Sequence, residues 1–468
     1  MVILCYTSIS VQLTLISCKR TGIINAMKRK PFIGLLIILA LLAGQTQVVA
    51  QVAFSLTYVR VVSKITDLPT ASHWATVADV NEDGKLDLVS ANWYDNTLSV
   101  FTNNGNGVFG SNAIYTVGYG PRCIVAADIN GDGKLDLICA DQGDNALVVL
   151  TNNGTGGFHL ASSIATGAGT LPATVTAADV NGDGKVDLIS ANYGNNTLSV
   201  FTNNRVGVFS LKATYAVGGN PRSVIAADVN GDGKVDLICV NVSSNTLSVL
   251  TNNGVGGFGS NATYNVGSNP ISVGAADLNG DGKVDLFCSN QGDNTLLVLT
   301  NNGHGIFGSN ATYTVGNAPS AVIAADVNGD GTMDLICANY NTSGTLSVLT
   351  NNGNGHFTLA SSPIVGSLPL SLAAADINGD GKVDLITANF GDNTLSVLIN
   401  IPTLIITRSG NTVTVLWSSS WTNWTLLQNS NLTTTNWTAS GGIFNNGINK
   451  GTTISSPIGN LFFRLFHP

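Results

Sequence analysis

The sequence predicts an all-β chain: a seven-bladed β-propeller of four-stranded blades, closed by its N-terminal strand and followed by a small C-terminal β-module. Three observations predict it. The string D-x-N-x-D-G-x-x-D recurs at Asp79, Asp128, Asp179, Asp228, Asp277, Asp326 and Asp376, spaced 49 to 51 residues apart. Self-similarity at such a period marks solenoids, propellers or arrays. Within each unit, four short runs of β-branched and aromatic residues are cut apart by Gly, Asn and Asp clusters, with no helical periodicity between them. That excludes strand–helix–strand units and matches one propeller blade. Finally, the seventh unit ends in LSVLINIP at 395–402 without a fourth strand, whereas Phe54–Tyr58 resembles the fourth-strand residues Phe209–Leu211 and Thr214-Tyr215. Residues 53–62 are therefore expected to complete the last blade; an open solenoid would leave two edges unpaired.

Taken from the N-terminus, the first fifty residues read as a delivery segment. From Met27, Lys28, Arg29 and Lys30 precede the apolar run Gly34–Leu42, and Val48-Val49-Ala50 offers small residues before a cut after Ala50. This is the pattern of a secretory signal peptide with its true start at Met27. The other reading, a single-pass anchor, needs about 20 apolar residues, more than this run holds. The mature chain is expected outside the cell, at the cell surface or in a periplasm, with no transmembrane span.

The fourth unit illustrates the expected strands: Val224–Ala227, Asp236–Val240, Leu247–Thr251 and Phe258–Val266. After Pro402 the period stops. Residues 401–468 hold Trp417, Trp421, Trp424 and Trp437 among alternating Thr, Val and Leu. A hairpin around Gly410-Asn411 and a last strand in NLFFRLFHP are expected there. The tryptophans either pack a small core or stack on sugars.

Composition narrows the function. Only 10% of the 468 residues are charged, 44% are hydrophobic and mean hydropathy is +0.25, which excludes a disordered chain. The 53 glycines and 12 prolines follow no G-x-y period, which excludes collagen. A net charge of −8 argues against a nucleic-acid partner. Without residues 1–50, which carry five basic and no acidic side chains, the chain has 15 basic and 28 acidic residues.

Of those 28 acidic residues, 21 are aspartates of the repeated motif. In the fourth loop, oxygens are available from Asp228, Asn230, Asp232 and Asp236 and from the main-chain carbonyl of Lys234, while Gly233 permits the sharp turn. Hard oxygen donors at positions 1, 3, 5, 7 and 9 describe a calcium cage like the first half of an EF-hand loop, without its glutamate at position 12. The corresponding sets are Asp79, Asn81, Asp83, Lys85 and Asp87; Asp128, Asn130, Asp132, Lys134 and Asp136; Asp179, Asn181, Asp183, Lys185 and Asp187. The last three are Asp277, Asn279, Asp281, Lys283 and Asp285; Asp326, Asn328, Asp330, Thr332 and Asp334; Asp376, Asn378, Asp380, Lys382 and Asp384. Metal-free Asx turns are the alternative. Against it, two carboxylates about 4 Å apart repel by about 4 kcal/mol at an effective dielectric near 20. About seven Ca²⁺, one per blade, would neutralise the mature chain.

The unit AADVNGDGKVDLI…NTLSVLTNNGxGxF resembles the FG-GAP/VCBS repeat of integrin α-subunit propellers, bacterial surface proteins and some fungal lectins, over residues 53–400. The resemblance implies seven blades with one calcium each, in the loop between the first and second strands. Two departures, Glu82 for Gly and Thr332 for Lys, are expected to point outward.

Catalysis needs a constellation that breaks the repeat. Outside the loops, Asp95, Asp144, Asp293 and Asp392 share one D-N-[TA]-L turn, and Asp141 stands where other units have Asn. No pair for acid–base work emerges, and the five histidines show no metal spacing. Cys139, Cys239, Cys288 and Cys337 share one register position, too far apart for disulfides, and Cys123 is expected to be free. The expectation is a non-enzymatic scaffold for a glycan or protein ligand, with Trp93, Tyr193, Tyr340 and Phe390 as candidate ligand contacts. A polysaccharide lyase or hydrolase on this fold, and a purely structural module, are the alternatives.

Overall fold

The computed structural model describes residues 53–60, 72–110, 113–204, 207–401, 405–409, 412–418, 424–430, 436–447, 449–455 and 462–466. The delivery segment read at residues 1–50 lies outside them. The chain divides into two compact units, Leu56–Ile399 and a second of Asn400–Pro468 with Met1–Ser55. Every regular element among the described residues is a β-strand.

In the larger unit each repeat folds into a four-stranded antiparallel sheet. The fourth comprises Pro221–Ala227, Asp236–Asn241, Thr246–Asn252 and Phe258–Asn265, hydrogen-bonded in chain order. The second and third strands are covered on both faces, and all six residues of Asp236–Asn241 are buried. This explains their near-continuous apolar runs. The fourth strand is an edge that alternates between half-buried and exposed residues, as in Phe209–Ala216. The last sheet runs Ala53–Arg60, Thr394–Ile401, Asp384–Asn389, Pro369–Ala375.

Proline opens six of the seven first strands, where its missing N–H costs nothing to the ladder. The following residue is displaced: Pro221 pairs with Asn241 and Ser223 with Val240, so Arg222 between them is bulged out. The same register shift recurs at Ser72/Trp74, Pro121/Cys123, Pro172/Thr174, Pro270/Ser272, Pro319/Ala321 and Pro369/Ser371. Bulges re-aim side chains.

The core lies between neighbouring sheets. Val180, Ile189, Leu198 and Val200 of one sheet pack with Val224, Leu237, Cys239 and Leu250 of the next. At the outer edge, Tyr215 meets Phe258 of the following sheet edge-to-face with centroids 5.6 Å apart, and Tyr115–Phe158, Tyr264–Phe307 and Tyr313–Phe357 repeat the contact. Such pairs add about 0.5–1.5 kcal/mol beyond burial. First strands of successive sheets lie side by side, and Ser72–Ala78 also lies against Pro369–Ala375. There the Ala75 amide donates to Ser371 Oγ over 2.9 Å.

Cys123, Cys139, Cys239, Cys288 and Cys337 are all free and buried. No helix among the described residues is long and apolar enough to cross a membrane, which says nothing about strands.

The smaller unit contains the expected hairpin, Ile405–Ser409 with Thr412–Ser418, which continues to Asn449–Ser455 and Phe444–Asn445. A second sheet joins Thr438–Ala439, Thr425–Asn429 and the last strand, Phe462–Phe466. Trp417 and Trp424 are buried, so their rings pack the interior and are closed to sugars. Trp437 is half-buried, and Trp421 lies outside the described residues.

Candidate functional site

The acidic loops and the candidate aromatic contacts sit at opposite ends of the sheets. Each loop joins the first strand to the second, so it lies at one end of that hairpin. The turn that follows the second strand, with its aromatic residue, lies at the other end, beside the bulged start of the first strand.

The fourth loop shows how the acidic end is built. Asp228 accepts the Gly231 amide on Oδ1 and the Gly233 amide on Oδ2, both at 2.8 Å. Asn230 Oδ1 accepts the Asp232 amide at 2.9 Å, and Asp232 Oδ1 accepts the Lys234 amide at 3.0 Å. The glycines at φ +76° and +79° (Gly231, Gly233) turn the amides inward, a backbone that side chains rarely adopt. In the first loop Glu82 takes the Gly231 place, exposed as expected and at φ 60°.

Asp236 is wholly buried. Its Oδ2 accepts the Val229 amide at 3.2 Å and its Oδ1 the Asn252 amide at 2.8 Å. Asn252 then donates from Nδ2 to the Val235 carbonyl of its own loop and to Val180 of the preceding sheet, both at 2.8 Å. The ninth loop position is thus a structural clamp as well as a candidate ligand. Sequence reasoning gave it only the second role.

Lysine is the other addition. Besides its carbonyl, each of Lys85, Lys134, Lys185, Lys234 and Lys283 brings Nζ within 2.6 to 3.7 Å of the fifth-position aspartate. Thr332 corrects the expectation that its side chain points outward: Oγ1 donates to Asp330 Oδ1 at 2.6 Å, taking the place of the lysine contact.

The loop carboxylates turn onto amides and lysines, and among the described residues no three His, Cys, Asp or Glu side chains converge as a ready-made metal cluster. The donor set nevertheless fits a hard cation. Each carboxylate offers about four lone-pair sites, more than the amides consume. Burial, and then the carboxylates at loop positions 5 and 1, push up the ninth-position carboxyls of Asp87, Asp136, Asp187, Asp236 and Asp285, and Asp334 rises to about 6.

At the opposite end, all seven first strands contribute to one cavity of ≈ 390 Å³, counted with its open mouth. The bulged residues reach it: His73, Arg122 and Arg222 among the apolar Ala173, Ile271 and Leu370. His73 Nδ1 is 3.0 Å from the Arg122 carbonyl, which can only accept, so Nδ1 carries a proton. Burial, Arg122 and Arg222 hold the His73 pKa well below the ordinary imidazole value, so the ring is neutral near pH 7. The predicted aromatic contacts gather beside these bulged residues. Trp93 stacks on His73 with centroids 5.2 Å apart, and Phe390 meets the same ring at 6.2 Å. Tyr193 is within electrostatic reach of both arginines and Tyr340 of Arg222. All four aromatics are half-buried.

Four of the acidic residues outside the loops are engaged by loop amides. Asp144, Asp293 and Asp392 accept the amides of Tyr119, Ser268 and Ser367. Asp141 accepts the Gly118 amide at 2.6 Å, while burial raises its carboxyl to about 7.

A family model described as FG-GAP-like repeat matches residues 79–139, 128–190, 179–239, 228–288, 277–337 and 326–387. The chain belongs to the FG-GAP-like repeat family. No curated protein is similar to it in sequence. Among solved structures, the FG-GAP-like chain is similar to BBS1N in complex with ARL6DN, at 13% identity over 74% of this chain and 97% of that one, with a TM-score of 0.51. A second structure of that complex, soaked with mercury, gives 14% identity over 74% and 97% of the two chains and a TM-score of 0.52. A protein from Lactobacillus plantarum is 14% identical over 84% of this chain and 98% of its own, with a TM-score of 0.49. At such identities the likeness concerns the fold alone, that of a repeated-sheet propeller.

Proposed function

We propose that this protein is a secreted or cell-surface, non-enzymatic scaffold: a closed seven-bladed propeller, rigidified by about seven Ca²⁺, that presents a binding face to a glycan or protein ligand. One observation carries the reading. The sheets segregate their chemistry, with repeated oxygen-rich loops at one end and an aromatic-flanked, non-repeating cavity at the other.

Closure is supported by the contacts between the first and last sheets. Calcium is supported by the donor set. The acidic loops would hold the ions through Asp, Asn and main-chain oxygens, and the bound charge would fix the loop geometry. A binding rather than catalytic role is supported by Asp144, Asp293 and Asp392, whose carboxylates are spent on turn amides. The similar structure of BBS1N is itself a protein complex, which favours a protein ligand as much as a glycan.

A glycan and polysaccharide array probed with the secreted protein, with calcium and with chelator, tests the reading together with a pull-down of protein partners. Calcium-dependent capture of a ligand is the expected result. Turnover of a polysaccharide, lost on changing one residue outside the loops, would replace the scaffold by an enzyme.

A further inference from the structure

We propose that the cavity at the bulged ends of the first strands is an oxyanion site, in which Arg122 and Arg222 hold the oxygens of a carboxylate or phosphate group while the neighbouring aromatics support the rest of the ligand. The inference rests on the scaffold reading only in taking this end of the sheets as the ligand side.

Three features of the cavity lead there. The first is that its cations are uncompensated. No acidic residue lines the cavity, and among the described residues neither guanidinium has an ion pair or hydrogen bond. Yet the mature chain carries 28 acidic side chains, and only three arginines occur between residues 61 and 401. In such a chain, two arginines aimed into one cavity with no acid opposite them call for an anion from outside.

The second is that the fold does not require them. Ala173, Ile271 and Leu370 fill equivalent bulge positions without charge. Ser320, at the same position, is consumed by the structure: Oγ lies 2.7 Å from the Pro369 carbonyl and 3.2 Å from the Ala338 carbonyl. Arg122 and Arg222 make no comparable tie. Burial, and then the like charge of Arg222, lower the pKa of Arg122.

The third is geometry. A guanidinium presents its donors in a planar fork that matches carboxylate and phosphate oxygens. The two forks enter one cavity from separate strands. Trp93 and Phe390 against His73, and Tyr193 within reach of both cations, supply flat apolar surface beside the charge. Charge beside stacking surface suits an acidic sugar; charge alone suits phosphate.

Isothermal titration of the calcium-loaded secreted protein with galacturonate, inorganic phosphate and galactose, at matched ionic strength, distinguishes these. One or both anions should bind once per chain, and galactose should not. Arg122→Gln and Arg222→Gln should each weaken binding about 10-fold or more, as loss of a charge-assisted pair does. Galacturonate alone would make the ligand group a carboxylate, and phosphate alone a phosphoryl group. No binding of either anion at tens of millimolar, equal binding of galactose, or unchanged binding by both variants would overturn the proposal. Melting curves without ligand add a second readout. The variants should melt at or above the parent midpoint, because each removes a repulsion; a fall for both would make the arginines structural and also overturn it. Loss of calcium or of array binding bears on the scaffold reading and leaves these arms intact.

Discussion

The side-chain amide of Asn103 donates to the main-chain carbonyl of Ile377 over 2.8 Å, across 274 residues of sequence. The same residue type makes the same reach between sequential sheets, from Asn152 to Val80, Asn203 to Ile129, Asn252 to Val180, Asn301 to Val229 and Asn351 to Leu278. Each carbonyl belongs to the second position of an acidic loop, so the loop of one sheet is latched by the third strand of the next. A local turn thereby becomes an element of inter-sheet packing.

Replacing one latch should be costly. Asn252→Ala removes the amide that bonds the Val180 and Val235 carbonyls, and leaving a buried acceptor unsatisfied costs about 1–3 kcal/mol. Denaturant unfolding should show a loss in that range, whereas Asn106→Ala, at an exposed position, should stay within about 0.5 kcal/mol.

Asp141 sets a pH dependence. Its folded pKa of about 7 lies above the ordinary carboxyl value because burial disfavours the charge. The folded state therefore binds more protons than the unfolded state between those values, and stability falls as pH rises from about 4 to 7. Asp141→Asn should reduce this slope, leaving the part due to Asp334 and the other raised ninth-position carboxyls, and raise stability at pH 8 by about 1–3 kcal/mol. Melting temperatures across pH for the two proteins check it; parallel profiles would refute it.

Glu82 occupies a left-handed backbone at φ 60°, where the other loops place glycine. Glu82→Gly should relieve about 1 kcal/mol of strain and remove a negative charge beside Asp83. A higher melting midpoint, largest in chelator, is the expected result.

The thiols should be inert in the folded protein. Burial pushes Cys123, Cys239 and Cys288 up to about 12, and Cys139 and Cys337 upward as well. A thiol reagent should label none of these five without denaturant and all of them with it, since the thiolate is the reactive species.

Much of this was legible in the sequence because it repeats. The Asp–Asn–Gly spacing marks the loops, the apolar runs mark the inner strands, and the D-N turn is visible because Asn96, Asn145 and Asn196 adopt φ near +55° to +60°. Arg122 and Arg222 escaped notice for the opposite reason. They stand at a position that changes from unit to unit, and only the bulge after each proline, a feature of register, turns that position into the cavity. The variable residue in an otherwise constant frame was the available signal. The ninth-position clamp was hidden too, because the partner amides of Asn103 or Asn252 belong to a different strand. The buried Trp417 could not be told from an exposed one by alternation alone.

Calcium loading is the most direct test of the account. Equilibrium dialysis of the purified protein against millimolar calcium, with the bound metal counted, should give about seven ions per chain, with dissociation constants on the order of 10⁻⁴–10⁻³ M and a lower melting midpoint in chelator. Binding of no ions, with a midpoint unmoved by chelator, would reduce the loops to Asx turns and contradict it.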